Sequence, residues 1–307
     1  MESMQFRAMN TEIILAAEGN PEELLPGFEK ARRFILESER RFTRFSEDSE
    51  LSRLNRAAGT WFRVSPDMLA VIMLAREYVD LTRGLFDPTI LPDLLRAGYD
   101  RSMDIIRAEG VSSVPSAFSR ERTQLNGIVI RPEESLIYIV PGVSLDLGGI
   151  AKGWIAEQAA SILAEFSPVC AVDAGGDMYL NGLPTGKNGW PVALEAPQNI
   201  GETLTIMNIP SGGVATSSVA KRTWKQGEKQ RHHLIDPRTG EPAETDWVSV
   251  TVIAAHTHLC EVFAKALLIA GSNAAPAIAE NVDIIYFAVD HEGNILGTRK
   301  SMEYVNG

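Results

Sequence analysis

Cysteine is scarce: Cys170 and Cys260 are the two in 307 residues, each inside an apolar segment. That excludes a disulfide framework and a thiolate metal cluster, and both read as small core residues. Positive charge is also scarce, with 29 Lys plus Arg against 40 Asp plus Glu and a formal net charge of -11. Nucleic-acid binding requires clustered cations to neutralise phosphates, so the balance argues against that class of partner. An acidic protein that handles a phosphorylated small molecule must instead concentrate positive charge locally. The amino-terminal MESMQFRAMNTEIILAAEG lacks a basic stretch followed by an apolar run, and no segment reads as a membrane span of ~20 residues. The expectation is a cytoplasmic protein without a membrane anchor. Walker and GxGxxG phosphate loops are missing, and the adjacent His232 and His233 do not have the spacing of a zinc site. No repeat or flexible linker interrupts the chain.

What is there is an ordinary globular composition, 45% hydrophobic and 22% charged. Alternation predicts a first strand from about Gln5 to Ala17, and apolar residues at helical spacing predict a helix over Pro21 to Phe42. The following RFTRFSEDSELSRLNRAAG, with Arg44, Ser49, Arg53 and Asn55, reads as a solvated connection. Ser65 and Pro66 have the chemistry of an N-cap and first helical residue for a helix ending near Gly84. In the Gly84 to Thr89 turn, Pro88 biases Asp87 away from the helical region, which suits either capping or a binding role. A hairpin is expected over residues 127–140. Further strands are expected over Val169 to Leu180, Trp190 to Leu194, Leu204 to Ile209 and Val248 to Ala254. A last long helix runs from His258 to Gly271, and a closing hairpin spans Ile284 to Leu296.

The organising stretch is Val143 to Glu157, VSLDLGGIAKGWIAE. It reads as a strand end, a Gly148-Gly149 turn and a helix start with Lys152, a layout that offers amides, the helix dipole and an ammonium to phosphate oxygens. A plain strand-to-helix connection with a surface lysine reads the same way. A second glycine pair, Gly175-Gly176, implies a bulge or a close approach. Residues 214–242 gather Thr216, Ser217, Ser218, Lys221, Arg222, His232, His233, Asp236 and Arg238. Adjacent histidines on a strand face opposite sides, so at most one serves a given site.

Together these segments resemble the ApbE-like FAD:protein FMN transferases across nearly the whole chain. Met9-Asn10-Thr11 resembles the family's Met-Gly-Thr, Ser49 to Asn55 its Ser-Glu-Leu-Ser-Arg-Leu-Asn block, and Phe86 to Thr89 its Phe-Asp-Pro-Thr turn. Asp146 to Gly153 resembles its Asp-Leu-Gly-Gly-Ile-Ala-Lys-Gly signature, Gly175 to Asp177 its Gly-Gly-Asp segment, and His233 to Gly240 its His-Ile-x-Asp-Pro-x-Thr-Gly motif. The resemblance implies a single α+β domain over residues 1–307, with antiparallel-rich sheets and flanking helices. It also implies transfer of FMN from FAD to a threonine of an acceptor redox protein, with release of AMP. By resemblance His233, Lys152 and Arg222 are catalytic. Met9, Leu85, Phe86, Asp87, Asp146, Gly149 and Thr216 bind FAD together with Lys152 and His233.

The family's magnesium is held by an Asp and a Thr on the last helix and by a backbone carbonyl. The matching positions here are Glu261, Lys265 and Ala151, so Lys265 can stand in for the ion and the use of magnesium is open. The family's Met-Gly-Thr has lost its glycine, and its Thr-Ser-Gly is Thr216-Ser217-Ser218. Two other outcomes stay open: an FAD-binding protein that has lost metal-dependent transfer, and an FAD pyrophosphatase.

Overall fold

The computed structural model describes residues 1–111, 127–197 and 201–305. Its contacts divide the chain into two compact units, each built from discontinuous segments: Met1–Ser38 with Ile150–Ala220 and Thr245–Gly307, and Glu39–Gly149 with Lys221–Glu244. The sequence reading expects a single domain.

The first unit is built on a sheet of eight antiparallel strands: β1 (Glu2–Ala8), β2 (Thr11–Ala17), β3 (Cys170–Ala174), β4 (Met178–Asn181), β5 (Gly212–Ser218), β6 (Trp247–Ala254), β7 (Ile285–Asp290) and β8 (Ile295–Gly297). Each strand lies beside the one numbered before it. β6 is apolar along most of its length and is buried at every position but the last, as a central strand covered on both faces must be. The helices Ala151–Ala164 and Thr257–Ala279 pack on this sheet and on each other. A separate hairpin, Trp190–Glu195 with Thr203–Ile209, shares a core with it through Val192, Leu194, Met207, Ile209, Val214 and Phe287.

Most expected elements are present, with instructive differences. The first strand is a hairpin, because Met9 and Asn10 take left-handed φ of 53° and 58° and reverse the chain between β1 and β2. The Val169 to Leu180 strand is likewise a hairpin, β3 and β4, turning at Gly175 and Gly176. The helix Pro21–Phe42 matches its expected bounds and buries Leu24, Phe28, Ala31 and Ile35 at helical spacing. The Thr257–Ala279 helix is long and apolar enough by composition to cross a membrane, which the sequence reading does not anticipate. It is nevertheless a core helix, largely buried and broken at Gly271, where φ is 67°.

The second unit holds a three-stranded sheet with Leu136–Ile139 between Trp61–Arg63 and Ile128–Arg131. Its helices include Glu50–Arg56, Pro66–Leu81, Leu91–Arg96 and Met103–Glu109. The Ser65 hydroxyl accepts the Met68 amide at 3.3 Å, the cap expected from the sequence. Two hairpins, Thr223–Gln226 with Lys229–His232 and Ile235–Asp236 with Glu241–Pro242, carry the polar segment. Val143 and Leu145 form no strand. The Asn55 side chain takes the place of a ladder there, accepting the Leu145 amide at 2.8 Å and donating to its carbonyl at 2.9 Å.

Candidate functional site

In the first unit the chemistry gathers where two helices begin. The Lys152 ammonium is paired with Asp177 and lies 3.2 Å from Glu261 Oε1. The other Glu261 oxygen accepts the Gly153 amide at 2.8 Å, so a carboxylate from one helix caps the first turn of the other. The Asp177 and Glu261 side chains are 4% and 5% exposed, and Lys152 17%. Lys152 is therefore a held cation between two buried carboxylates and not a surface lysine. Part of the dipole end offered to phosphate is also already used.

The spacing of this cluster is set by backbone. A Cβ on Gly153 would stand 2.7 Å from the Thr257 carbonyl oxygen and 2.9 Å from His258 Cα, so the two helices meet there main chain to main chain. Gly175, at φ 71°, faces the hydroxyl of Thr11, 2.0 Å from where its Cβ would be. Within the described residues, the close approach implied by the second glycine pair is thus to the β2 strand. Burial pushes the Asp173 carboxyl up, with the Gly176 and Gly175 amides opposing.

Of the other expected residues in this unit, Met9 sits half-buried at the β1–β2 turn. Thr216 shares a 2.8 Å hydrogen bond with Thr251 across β5 and β6. Ala151, the expected carbonyl donor, begins its helix and is buried.

The expected magnesium set does not fit its residues. Magnesium demands oxygen ligands in near-octahedral array. Here Glu261 already receives an ammonium and an amide, and Lys265, four residues later, brings a second ammonium-bearing chain in place of a hydroxyl. Lys152 is a cation held against Glu261, 3.2 Å from its Oε1.

Three residues of this unit escape the sequence reading. Glu157 Oε1 lies 2.8 Å from His256 Nδ1, its Oε2 accepts the Thr257 amide at 2.9 Å, and His258 Nε2 is 3.9 Å from Oε2. The His-x-His spacing directly before an apolar helix was the available signal.

In the second unit, Asp146 is held by Arg44 at 2.7 Å and caps the Gly148 amide at 2.8 Å. The Arg44 side chain is 6% exposed, which corrects the solvated reading of its segment. Arg44 also donates to the Tyr99 carbonyl at 2.7 Å and lies 4.6 Å from the Tyr99 ring centre. Tyr99 stacks on Trp224 at 5.4 Å. Burial pushes the Tyr99 phenol up, with Arg222 and Arg44 opposing, so the expected catalytic Arg222 stands near this aromatic pair with a φ of 53°.

Leu85 and Phe86 are buried, and Asp87 accepts both the amide and the hydroxyl of Thr89, at 2.8 and 2.6 Å. Capping is thus one occupation of Asp87. Gly149 closes the segment at the edge of this unit. His233 lies half-buried in the bend after the strand that ends at His232. Beyond it, Asp236 binds Arg238 through both oxygens, while Gly240, at φ 72°, leaves room for Arg96 to reach its carbonyl at 2.9 Å.

Comparisons with known proteins agree with the motif order. The model of the ApbE family matches residues 9–287. An FAD:protein FMN transferase of Rhodobacter capsulatus is 30% identical over 269 residues, which are 84% of this chain and 50% of that relative. The chain thus spans about half the length of that protein. One from Vibrio cholerae is 28% identical over 256 residues, 81% of this chain and 74% of the relative. Among solved structures, the ApbE protein of Thermotoga maritima superposes with a TM-score of 0.87 at 24% identity, covering 100% of this chain and 99% of that one. The Vibrio cholerae flavin transferase ApbE gives 0.81 at 23% identity, covering 99% of each chain. These likenesses establish the α+β fold. With its motifs in family order and the family model matched from residue 9 to residue 287, the chain belongs to the ApbE family.

Proposed function

We propose that this protein is an FAD:protein FMN transferase. A threonine hydroxyl of an acceptor redox protein attacks the FMN-side phosphorus of FAD, the pyrophosphate P–O bond breaks, AMP leaves with the bridging oxygen, and FMN remains as a phosphoester. The observation that carries this reading is the family match over residues 9–287 with relatives that bear that activity as their name.

Such a reaction accumulates negative charge on the pyrophosphate oxygens and needs fixed positive charge to meet it. Lys152, held in place by Asp177 and Glu261, supplies an ammonium with little freedom to reorganise. By the resemblance His233 serves proton removal from the incoming hydroxyl, and Arg222, which matches the family's arginine, belongs to the same catalytic set. Imidazole is the side chain most often used for that proton transfer. The flavin contacts implied for Met9, Leu85, Phe86, Asp87, Asp146, Gly149 and Thr216 belong to the same proposal.

A second reading is favoured by one specific observation. Glu261 is occupied by Lys152 and the Gly153 amide, and Lys265 replaces a magnesium ligand. That set suits a protein that binds FAD without metal-dependent transfer.

Mass spectrometry of a threonine-containing acceptor domain, incubated with this protein and FAD in magnesium or in EDTA, separates the readings. A mass gain equal to FMN in both conditions supports a transferase that works without the metal. FAD binding with no gain on acceptors of several sequences overturns the transferase in favour of the second reading. Release of FMN and AMP without a modified acceptor identifies a pyrophosphatase.

A further inference from the structure

We propose that Glu157, His256 and His258 form a binding site for a divalent transition-metal ion of zinc type, separate from the position of the family's magnesium. The three residues come from two segments far apart in the chain, and their ligand atoms lie within 4.8 Å of one another. Two imidazoles and one carboxylate are a donor set suited to zinc and its neighbours, whereas magnesium and calcium require oxygen ligands.

Two of the ligands are already positioned. Glu157 and His258 are buried, and Glu157 is oriented by the Thr257 amide, which donates to Oε2 at 2.9 Å. The Thr257 hydroxyl in turn donates to the Met178 carbonyl at 2.8 Å, anchoring the residue between the two histidines to the sheet. Such outer contacts fix a ligand's direction before the ion arrives. The backbone here has little room to shift, since Gly153 abuts Thr257 and His258, and a Cβ on Gly213 would stand 2.4 Å from the Thr257 nitrogen.

The third ligand provides entry and adjustment. His256 has a side chain 56% exposed, with its ring parallel to that of His258 to within 9° and 5.1 Å away. Zinc–ligand bonds of about 2.0–2.1 Å in a tetrahedral array set donors about 3.3 Å apart, so the 2.8 Å contact of His256 with Glu157 would open and the 3.9 Å gap from His258 to Glu157 would close. Rotation of His256 away from its 2.8 Å contact with Glu157 supplies that opening, because this is the one ring of the two that faces solvent. A three-ligand site entered from solvent keeps a position for water or a fourth donor.

The ion would staple the two helices that carry the Lys152 cluster. Glu157 lies five residues after Lys152 on one helix, and His258 three residues before Glu261 on the other. The role inferred is a clamp that holds the spacing of that ion pair, not a participant in group transfer.

The test uses untagged full-length protein stripped with chelator and titrated with zinc by calorimetry, then with cobalt(II) by visible absorption. One equivalent of zinc, a rise in melting temperature and the d–d bands of four- or five-coordinate cobalt are expected. His256→Ala, at a solvent-exposed position, should weaken zinc by more than the ~10–100-fold typical of losing an outer contact. Glu157→Gln, which keeps an acceptor for the Thr257 amide, should abolish the cobalt bands while the far-ultraviolet circular dichroism stays native. His291→Ala, at an exposed histidine outside the cluster, should change neither. Zinc binding unaltered by His256→Ala and Glu157→Gln, or lost equally in His291→Ala, overturns the site, as does the absence of a stoichiometric zinc complex in the unaltered protein.

Discussion

Lys152 Nζ and Glu261 Oε1 stand 3.2 Å apart, each near the first turn of its own helix, with Asp177 on the other side of the ammonium. Two buried carboxylates thus share one cation. Their desolvation is tolerable only while that cation is present.

Replacing Lys152 with Met keeps the aliphatic stem and removes the charge. The expected loss of stability is about 3–5 kcal/mol, the range for leaving a buried ionic partner uncompensated. The double variant K152M/E261Q should be more stable than K152M alone, since it removes one of the two stranded charges. Urea denaturation of the four proteins in the cycle measures the coupling. Strictly additive effects of the two substitutions, a coupling energy of zero, would show that Glu261 does not interact with Lys152.

Asn10 occupies the place of the family's glycine with φ 58°. Asn tolerates the left-handed region because its short polar side chain bonds locally, while a β-branched residue does not. Asn10→Gly should therefore leave stability almost unchanged, and Asn10→Val should cost about 1–2 kcal/mol. Thermal melts of both variants check this, and a neutral valine would refute the turn geometry.

His232 should make stability depend on pH in a defined sense. Burial lowers its affinity for a proton, with Arg231 acting the same way and the Ala243 carbonyl opposing. The unfolded chain then binds the proton more readily than the folded one. The neutral ring carries no penalty above the unfolded value of ~6.5, and stability falls as the pH drops below it. His232→Gln, which can still donate to the Ala243 carbonyl, should flatten the pH dependence between about 7 and 5. Some slope should remain, because burial also pushes His258 down. Denaturant midpoints measured in EDTA across that range decide it.

Neither thiol should react in the folded protein. Burial pushes Cys170 up to about 11, and it pushes Cys260 up as well. A disulfide reagent at mildly alkaline pH should label neither cysteine until guanidinium is added, and then both. Rapid labelling of Cys170 in native protein would contradict its burial.

Much of the fold was legible because it is local chemistry. Ser65-Pro66 announces a helix start, the apolar spacing from Leu24 to Ile35 announces a buried face, and Glu292-Gly293-Asn294 announces the tip of the last hairpin. The two unexpected hairpins were hidden by their turns. Asn10 is not a strong turn signal beside Met9, and the Gly175 pair reads equally as a bulge.

The candidate site was legible only as motifs. Lys152, Asp177 and Glu261 each stand in a recognisable motif or helix, yet the pairing of the lysine with both acids depends on two helices meeting at Gly153, a contact with no periodicity to betray it. Arg44 reads as solvated for the same reason. Its partner Asp146 lies about a hundred positions away, and an arginine-rich connection looks solvated until that partner is found.

The break at Gly271 changes what the Thr257–Ala279 helix is. A left-handed residue interrupts its hydrogen-bond ladder, and the Asp246 carboxylate accepts the Ser272 amide at 3.0 Å, serving as a cap for a new beginning. What composition presents as one apolar rod is two short helices in tandem, neither with the ~20 residues needed to traverse a lipid bilayer. Fraying that starts at the carboxyl-terminal half can stop at Gly271, leaving the turns with Glu261 and Lys265 protected from amide exchange.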